Sequence, residues 1–104
     1  MKILHLDDNH LALRSMQRVL RDTFDEVVSV ATAEEAMAQL EEVDFLLSDW
    51  QLARGTSREV VMEAKRIGLP VIVLSGMPPT DIEVPIMFKG CSMSEVVDEI
   101  HRHI

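Results

Sequence analysis

Apolar positions along this chain follow two alternating periods. Short β-prone runs occur at Ile3–Leu6, Val27–Val30, Phe45–Ser48, Val71–Leu74 and Val84–Phe88. Helical spacing fills the gaps between the first four. In the first gap, Leu11, Met16, Val19 and Leu20 are expected to form an inner face, with Asn9 or Asp8 as N-cap. In the second, Thr32 caps, Glu35 follows in a capping-box arrangement, and Ala36, Met37 and Leu40 point inward. In the third, Ser57 caps, Val60, Val61, Ala64 and Ile67 face the core, and Gly68 with Pro70 ends the helix. A last helix starts at Ser92 or Ser94 and runs through Val96, Val97 and Ile100.

Alternation of this kind predicts right-handed βαβ units, and so an α/β protein with a parallel sheet covered by helices on both faces. The unbroken apolar run Val71–Leu74 suits a strand buried on both sides. With no repeat, low-complexity segment or linker, residues 1–104 read as one domain. The rhythm breaks once. Gly76–Glu83 contains Pro78 and Pro79 and is too short for a crossover helix, so a loop is expected, with a short turn near Thr80–Ile82 at most. That loop should leave one sheet face thinly covered and should be mobile.

Composition narrows the function. A chain of 104 residues can bury a core without disulfides, and Cys91 is the only cysteine, which fits a reducing compartment. A formal charge of −8 argues against a DNA or RNA partner. Lys2 leads directly into a strand, unlike a signal peptide, and no apolar run approaches the roughly twenty residues that span a bilayer. A soluble cytoplasmic protein is expected.

The chemistry lies at strand ends. Asp7 and Asp8 close the first run and Asp49 closes the third. If those strands are neighbours, three carboxylates converge, and the usual reason to gather such repelling charges is a hard divalent cation. Ser75 and Lys89 end the fourth and fifth runs. Each residue also has a plain reading: helix-start acids for Asp7 and Asp8, a turn hydroxyl for Ser75, a solvated charge for Lys89. Trp50 is either a partner contact or a half-buried aromatic. His5 reads as a core or edge histidine, His101 and His103 as helix C-terminal cations, and Cys91 as a packed thiol. The seven methionines read mostly as core filler, with Met77 and Met87 flanking the short segment as a possible adaptable surface.

With these acids in place, the chain resembles the response-regulator receiver domains of bacterial two-component signalling, from Ile3 through the last helix. The resemblance implies a flavodoxin-like doubly wound sheet of five parallel strands in the order 2-1-3-4-5, here of the atypical type whose fourth helix is absent or reduced to a loop. It implies Asp49 as phosphoacceptor, and Mg²⁺ held by Asp7, Asp8, Asp49 and the backbone carbonyl of Gln51. Ser75 and Lys89 then contact the phosphoryl group and Gly76 leaves room for it. Gln51 and Met77 tune its hydrolysis; Met77 cannot orient a water, so a long-lived aspartyl phosphate is expected. Three positions depart from the family pattern. Ile86 stands where many receivers carry an aromatic switch and is, with Trp50, a possible partner contact. Gly90 replaces the proline that commonly follows the lysine, and the segment 50–57 lacks the common Met-Pro while keeping Gly55.

The implied function is that of a stand-alone receiver, not an enzyme in the ordinary sense. It accepts a phosphoryl group from a sensor histidine kinase or a histidine phosphotransfer protein. It then signals by contact with a further protein or serves as a phosphate sink in a phosphorelay. The alternatives are a phosphorylation-independent interaction module of the same fold, and a small Mg²⁺-dependent phosphatase. The phosphatase is disfavoured because Gln51 stands where such enzymes carry a second acid.

Overall fold

Five parallel strands form the centre of the molecule in the order β2-β1-β3-β6-β7, all pairs parallel. The computed structural model describes residues 1–104. The chain runs β1 (Lys2–Leu6), α1 (His10–Thr23), β2 (Glu26–Val30), α2 (Ala33–Gln39) with a 3₁₀ turn at Leu40–Glu42, and β3 (Phe45–Asp49). It continues through β4 (Gln51–Leu52), β5 (Gly55–Thr56), α3 (Arg58–Arg66), β6 (Val71–Ser75), β7 (Ile86–Phe88) and α4 (Met93–Arg102). The α/β parallel sheet expected from the alternation forms, in the flavodoxin-like strand order that the resemblance implies. The short antiparallel β4–β5 hairpin is the only addition.

Strand alternation divides the core in two. Leu4, Leu6, Leu46 and Val73 meet Ala36, Leu40, Val60, Val61 and Ala64 on the α2–α3 side. Ile3, Phe45, Leu47 and Ile72 meet Met16, Leu20, Val96 and Ile100 on the α1–α4 side. β3 is buried along its whole length, as a central strand should be.

The caps follow local chemistry. Asn9 Oδ1 accepts the N–H groups of Leu11 and Ala12, so Asn9 and not Asp8 starts α1. Thr32 accepts from Glu35 N–H, and Ser92 with Glu95 forms a full capping box on α4. Gly68 ends α3 at φ +77°, where a β-carbon is disfavoured.

Some expectations are corrected. Ser57 is fully buried and makes no side-chain cap; the Thr56 hydroxyl accepts the Arg58 N–H instead. Leu11 is 77% exposed, because it lies in the first turn, beyond the edge of the core. The last strand starts at Ile86, not Val84: Pro85 lacks an N–H and contributes only its carbonyl, to Val73 N–H. Of the methionines only Met16 is buried, while Met62, Met77 and Met93 are exposed.

No helix forms between β6 and β7, and residues 76–85 run as irregular backbone. The sheet face beside this segment is nevertheless covered. Ile82 folds inward and Trp50, only 4% exposed, joins it in the α2–α3 core, with Val84 and Ile86 packed at the margin. Trp50 is therefore a core residue and not a surface contact, packed in the same cluster as Ile82 from the short segment. Ile86 is half-buried against the same cluster.

Candidate functional site at the carboxyl edge of the sheet

β1 and β3 are adjacent and end together, with Leu6 registered against Ser48, so the residues that follow must meet. One carboxylate oxygen from each of Asp7, Asp8 and Asp49 lies within 4.8 Å of the others. Asp7 is buried, and its Oδ1 accepts the N–H of Asn9, which ties the acid to the start of α1. Asp8 is half-exposed, and its Oδ2 accepts the N–H of Ala53 at the tip of the β4–β5 hairpin. Asp49 is 2% exposed; Lys89, reaching over from the end of β7, donates from Nζ to its Oδ2 at 2.7 Å.

Burial pushes the Asp49 carboxyl above the usual carboxylate range; the Lys89 hydrogen bond pulls it back, and the charges of Asp7 and Asp8 push it up again. Partial burial draws Lys89 down, but its bond to Asp49 and the three carboxylate charges outweigh this, and its pKa stands above the ordinary lysine value. Asp49 Oδ1 is buried and has no hydrogen-bond partner. A buried, unpaired carboxylate oxygen beside two further acids is an unfavourable arrangement that a hard cation would satisfy. The donor set, oxygen only and partly open to solvent, fits Mg²⁺.

Ser75 ends β6 fully buried. Its hydroxyl donates to the Met77 carbonyl at 2.7 Å and accepts the Met77 N–H at 3.2 Å. The side chain thus holds the first turn of the 76–85 segment and does not bond to Asp49. A β-carbon on Gly76, the residue after Ser75, would meet nothing within 4 Å. Met77 is 81% exposed and Gln51 is exposed on β4. At Gly90 a β-carbon would lie 2.4 Å from the ring of the exposed Phe88, so that side chain would have to move aside. The turn after Lys89 closes through Cys91 N–H to the Phe88 carbonyl, with no cis peptide in the chain.

The structure therefore brings Asp7, Asp8, Asp49 and Lys89 together, sets Ser75 and Gly76 beside them, and takes Trp50 into the core. Several contacts had no sequence signal. The Ala53 N–H that pins Asp8 belongs to an anonymous backbone position. Arg58 opens α3, bonds Asp81 through Nη2 at 2.9–3.0 Å, and lies 5.3 Å over the Trp50 ring. Only the pairing of opposite charges across 23 residues joins the two.

No protein-family profile and no curated protein matches the sequence, but solved structures match the fold closely. A response regulator receiver protein from Sinorhizobium medicae WSM419 superimposes with TM-score 0.86 at 18% identity, over 98% of this chain and 92% of that one. A CheY-like receiver domain protein from Methanospirillum hungatei JF-1 gives 0.86 at 22% identity, over 98% and 91%. The receiver domain of the hybrid histidine kinase CckA gives 0.77 at 24% identity, over 98% and 97%. The fold is that of response-regulator receiver domains across nearly the whole chain. No helix is long and apolar enough to cross a membrane.

Proposed function

We propose that this protein is a Mg²⁺-dependent phosphoacceptor of two-component signalling, modified on Asp49 by a histidine kinase or a histidine phosphotransfer protein in the cytoplasm. The observation that carries this reading is the junction of Asp7, Asp8 and Asp49 within 4.8 Å, with Lys89 at 2.7 Å from Asp49 and one Asp49 oxygen unpartnered. Asp7, Asp8, Asp49 and the Gln51 carbonyl would hold the cation. When bound, it supplies neutralising charge and a template for phosphoryl oxygens.

The remaining roles fall to the chain itself. An Asp49 carboxylate oxygen attacks phosphorus; the bond to the donor imidazole nitrogen breaks, and its electron pair stays on that nitrogen. Lys89, already bonded to Asp49, remains protonated and turns one N–H hydrogen bond to a phosphoryl oxygen. Gly76 leaves the approach open. Ser75 carries one hydroxyl proton, at present given to the Met77 carbonyl. Donation to a phosphoryl group therefore requires release of Met77. Phosphorylation and the tether of the 76–85 segment exclude one another, which gives the modification a structural readout for a downstream protein. With no hydrogen-bonding side chain at Met77 to orient a water, the acyl phosphate is long-lived.

The test is labelling by acetyl phosphate and by purified phosphohistidine donors, with Mg²⁺ and with excess EDTA. Asp49 should be modified in Mg²⁺ only, and Asp49→Asn should abolish labelling. Persistent labelling of the Asn variant, or none of the wild type by any donor, would leave only an interaction module of receiver fold.

A further inference from the structure

Asp8 also borders a second opening. The start of α2, the β4–β5 hairpin and the start of α3 enclose a cleft of about 520 Å³, within the range of small-molecule sites. Ala33 and Leu52, partly buried against the α2–α3 core, give it an apolar wall. Glu34, Arg54 and Glu59 bring charge to it. The hairpin side is held by backbone: the Ala53 N–H bonds to Asp8, and the Ser57 N–H bonds to the Trp50 carbonyl.

The charges of this cleft do not satisfy one another. Lys2, Arg58, Arg66, Lys89 and Arg102 all find carboxylates. Arg54 forms no ion pair, although two glutamates line the same cleft, and Glu34 and Glu59 are unpaired as well. Nor do the acids gather on one point. The three carboxylates close enough to share an ion are Asp7, Asp8 and Asp49, and neither glutamate joins them. A bare cation is therefore a poor occupant. A phosphate-like anion is also poor, since it would meet two carboxylates for one guanidinium. Separated charges of both signs suit an extended ligand that carries both. The free groups number two acids and one base, with apolar surface between. A basic α-amino acid has the complementary set: two cations, one carboxylate and a methylene stem.

We propose that the cleft between α2, the β4–β5 hairpin and α3 binds a basic α-amino acid of the lysine type. Its carboxylate pairs with Arg54, its two ammonium groups with Glu34 and Glu59, and its methylenes lie on Ala33 and Leu52. The Thr56 hydroxyl, which accepts the Arg58 N–H, keeps its own hydrogen to give to the ligand carboxylate. The site stands independently of the phosphoacceptor reading, because none of these side chains belongs to the acidic cluster. The charged groups are exposed, so each pair contributes modestly and the affinity is millimolar.

The probe is L-lysine, titrated into the ¹⁵N-labelled protein beside three analogues that each lack one group. Cadaverine lacks the carboxylate, Nα-acetyl-L-lysine the α-ammonium, and norleucine the side-chain cation. Saturable amide shifts centred on residues 31–34 and 52–59 are expected with lysine, and each analogue should bind about fivefold more weakly. Arg54→Gln should erase the preference for lysine over cadaverine. Glu34→Gln and Glu59→Gln should each weaken lysine about as much as the loss of one ammonium group does. Cadaverine binding the wild type as tightly as lysine would reduce the cleft to diffuse attraction of cations by an acidic chain. That result, an unsaturable response, shifts centred elsewhere, an unchanged preference in Arg54→Gln, or Mg²⁺ alone moving the Glu34 and Glu59 amides in the same way would each overturn the proposal.

Discussion

Two connections leave the carboxyl edge of this sheet side by side, and they are built differently. The one after β3, residues 50–57, is a hairpin fixed by backbone. Trp50 N–H bonds to the Leu74 carbonyl, the Trp50 carbonyl accepts Ser57 N–H, and the tip is pinned through Ala53 to Asp8. Gly55 at φ +100° makes the turn possible. The one after β6, residues 76–85, has no secondary structure and is held by side chains: Ser75 at its start, Arg58 on Asp81, and Ile82 in the core. A segment held by a few side-chain bonds opens locally at a fraction of the global unfolding free energy. The contrast assigns rigidity to the connection next to Asp49 and adaptability to its neighbour.

Substitutions can break this contrast or refine it. The largest effect is expected from Trp50→Ala, which removes the indole that both connections lean on; stability should fall by about 3–5 kcal/mol, measured by urea unfolding. If the loss is near 1 kcal/mol, the two connections are not sharing a core.

Acid should act next most strongly, and on both connections alike. His5 sits in the middle of β1, and burial pushes it down to about 4. The unfolded chain takes up this proton near pH 6.5 while the folded one refuses it until about 4. Stability is therefore full above pH 6.5 and declines as pH falls through that window, by about 3 kcal/mol in all. His5→Leu should flatten the decline in a series of unfolding curves; an unchanged slope would assign it to other groups.

Ile82→Ala should cost about 2 kcal/mol, the lower end of core truncations, since an irregular segment can relax onto the hole. Hydrogen exchange should then rise across 76–85 and stay unchanged in 50–57. Exchange rising equally in both would remove the distinction.

The smallest effect in energy is the most local. Arg58→Ala should reduce stability by less than about 1 kcal/mol, since the Asp81 pair is exposed. It should raise exchange at 80–83 and leave labelling of Asp49 unaltered. Beryllofluoride should instead raise exchange at 76–78, where Ser75 lets go. Movement of both ends together in either experiment would merge two anchors into one.

Much of this was legible in sequence because it depends on period and on strand ends. The acids after β1 and β3 were placed by the parallel pairing alone, and the missing helix by the length and prolines of Gly76–Glu83. What escaped depends on three-dimensional shape. The fate of Trp50 could not be read, because its burial depends on packing in one cluster with Ile82, which is distant in sequence. Leu11 looked inward by spacing, but the core ends before the first turn of α1. Ser57 looked like a cap, but the backbone at φ −85°, ψ 13° turns its hydroxyl away from the helix amides. The same limit hid the Arg58–Asp81 pair, in which neither partner is marked by a motif.

One carboxylate joins the acidic cluster to the hairpin. Asp8 Oδ2 is engaged by the Ala53 amide, and the Asp8 carboxylate also belongs to the acidic cluster. A cation on this carboxylate would draw charge from it and weaken it as an acceptor, so the Ala53 proton resonance should shift on Mg²⁺ addition. On the proposed function, the hairpin tip, with Arg54 at its apex, would then report whether the acidic cluster holds a cation.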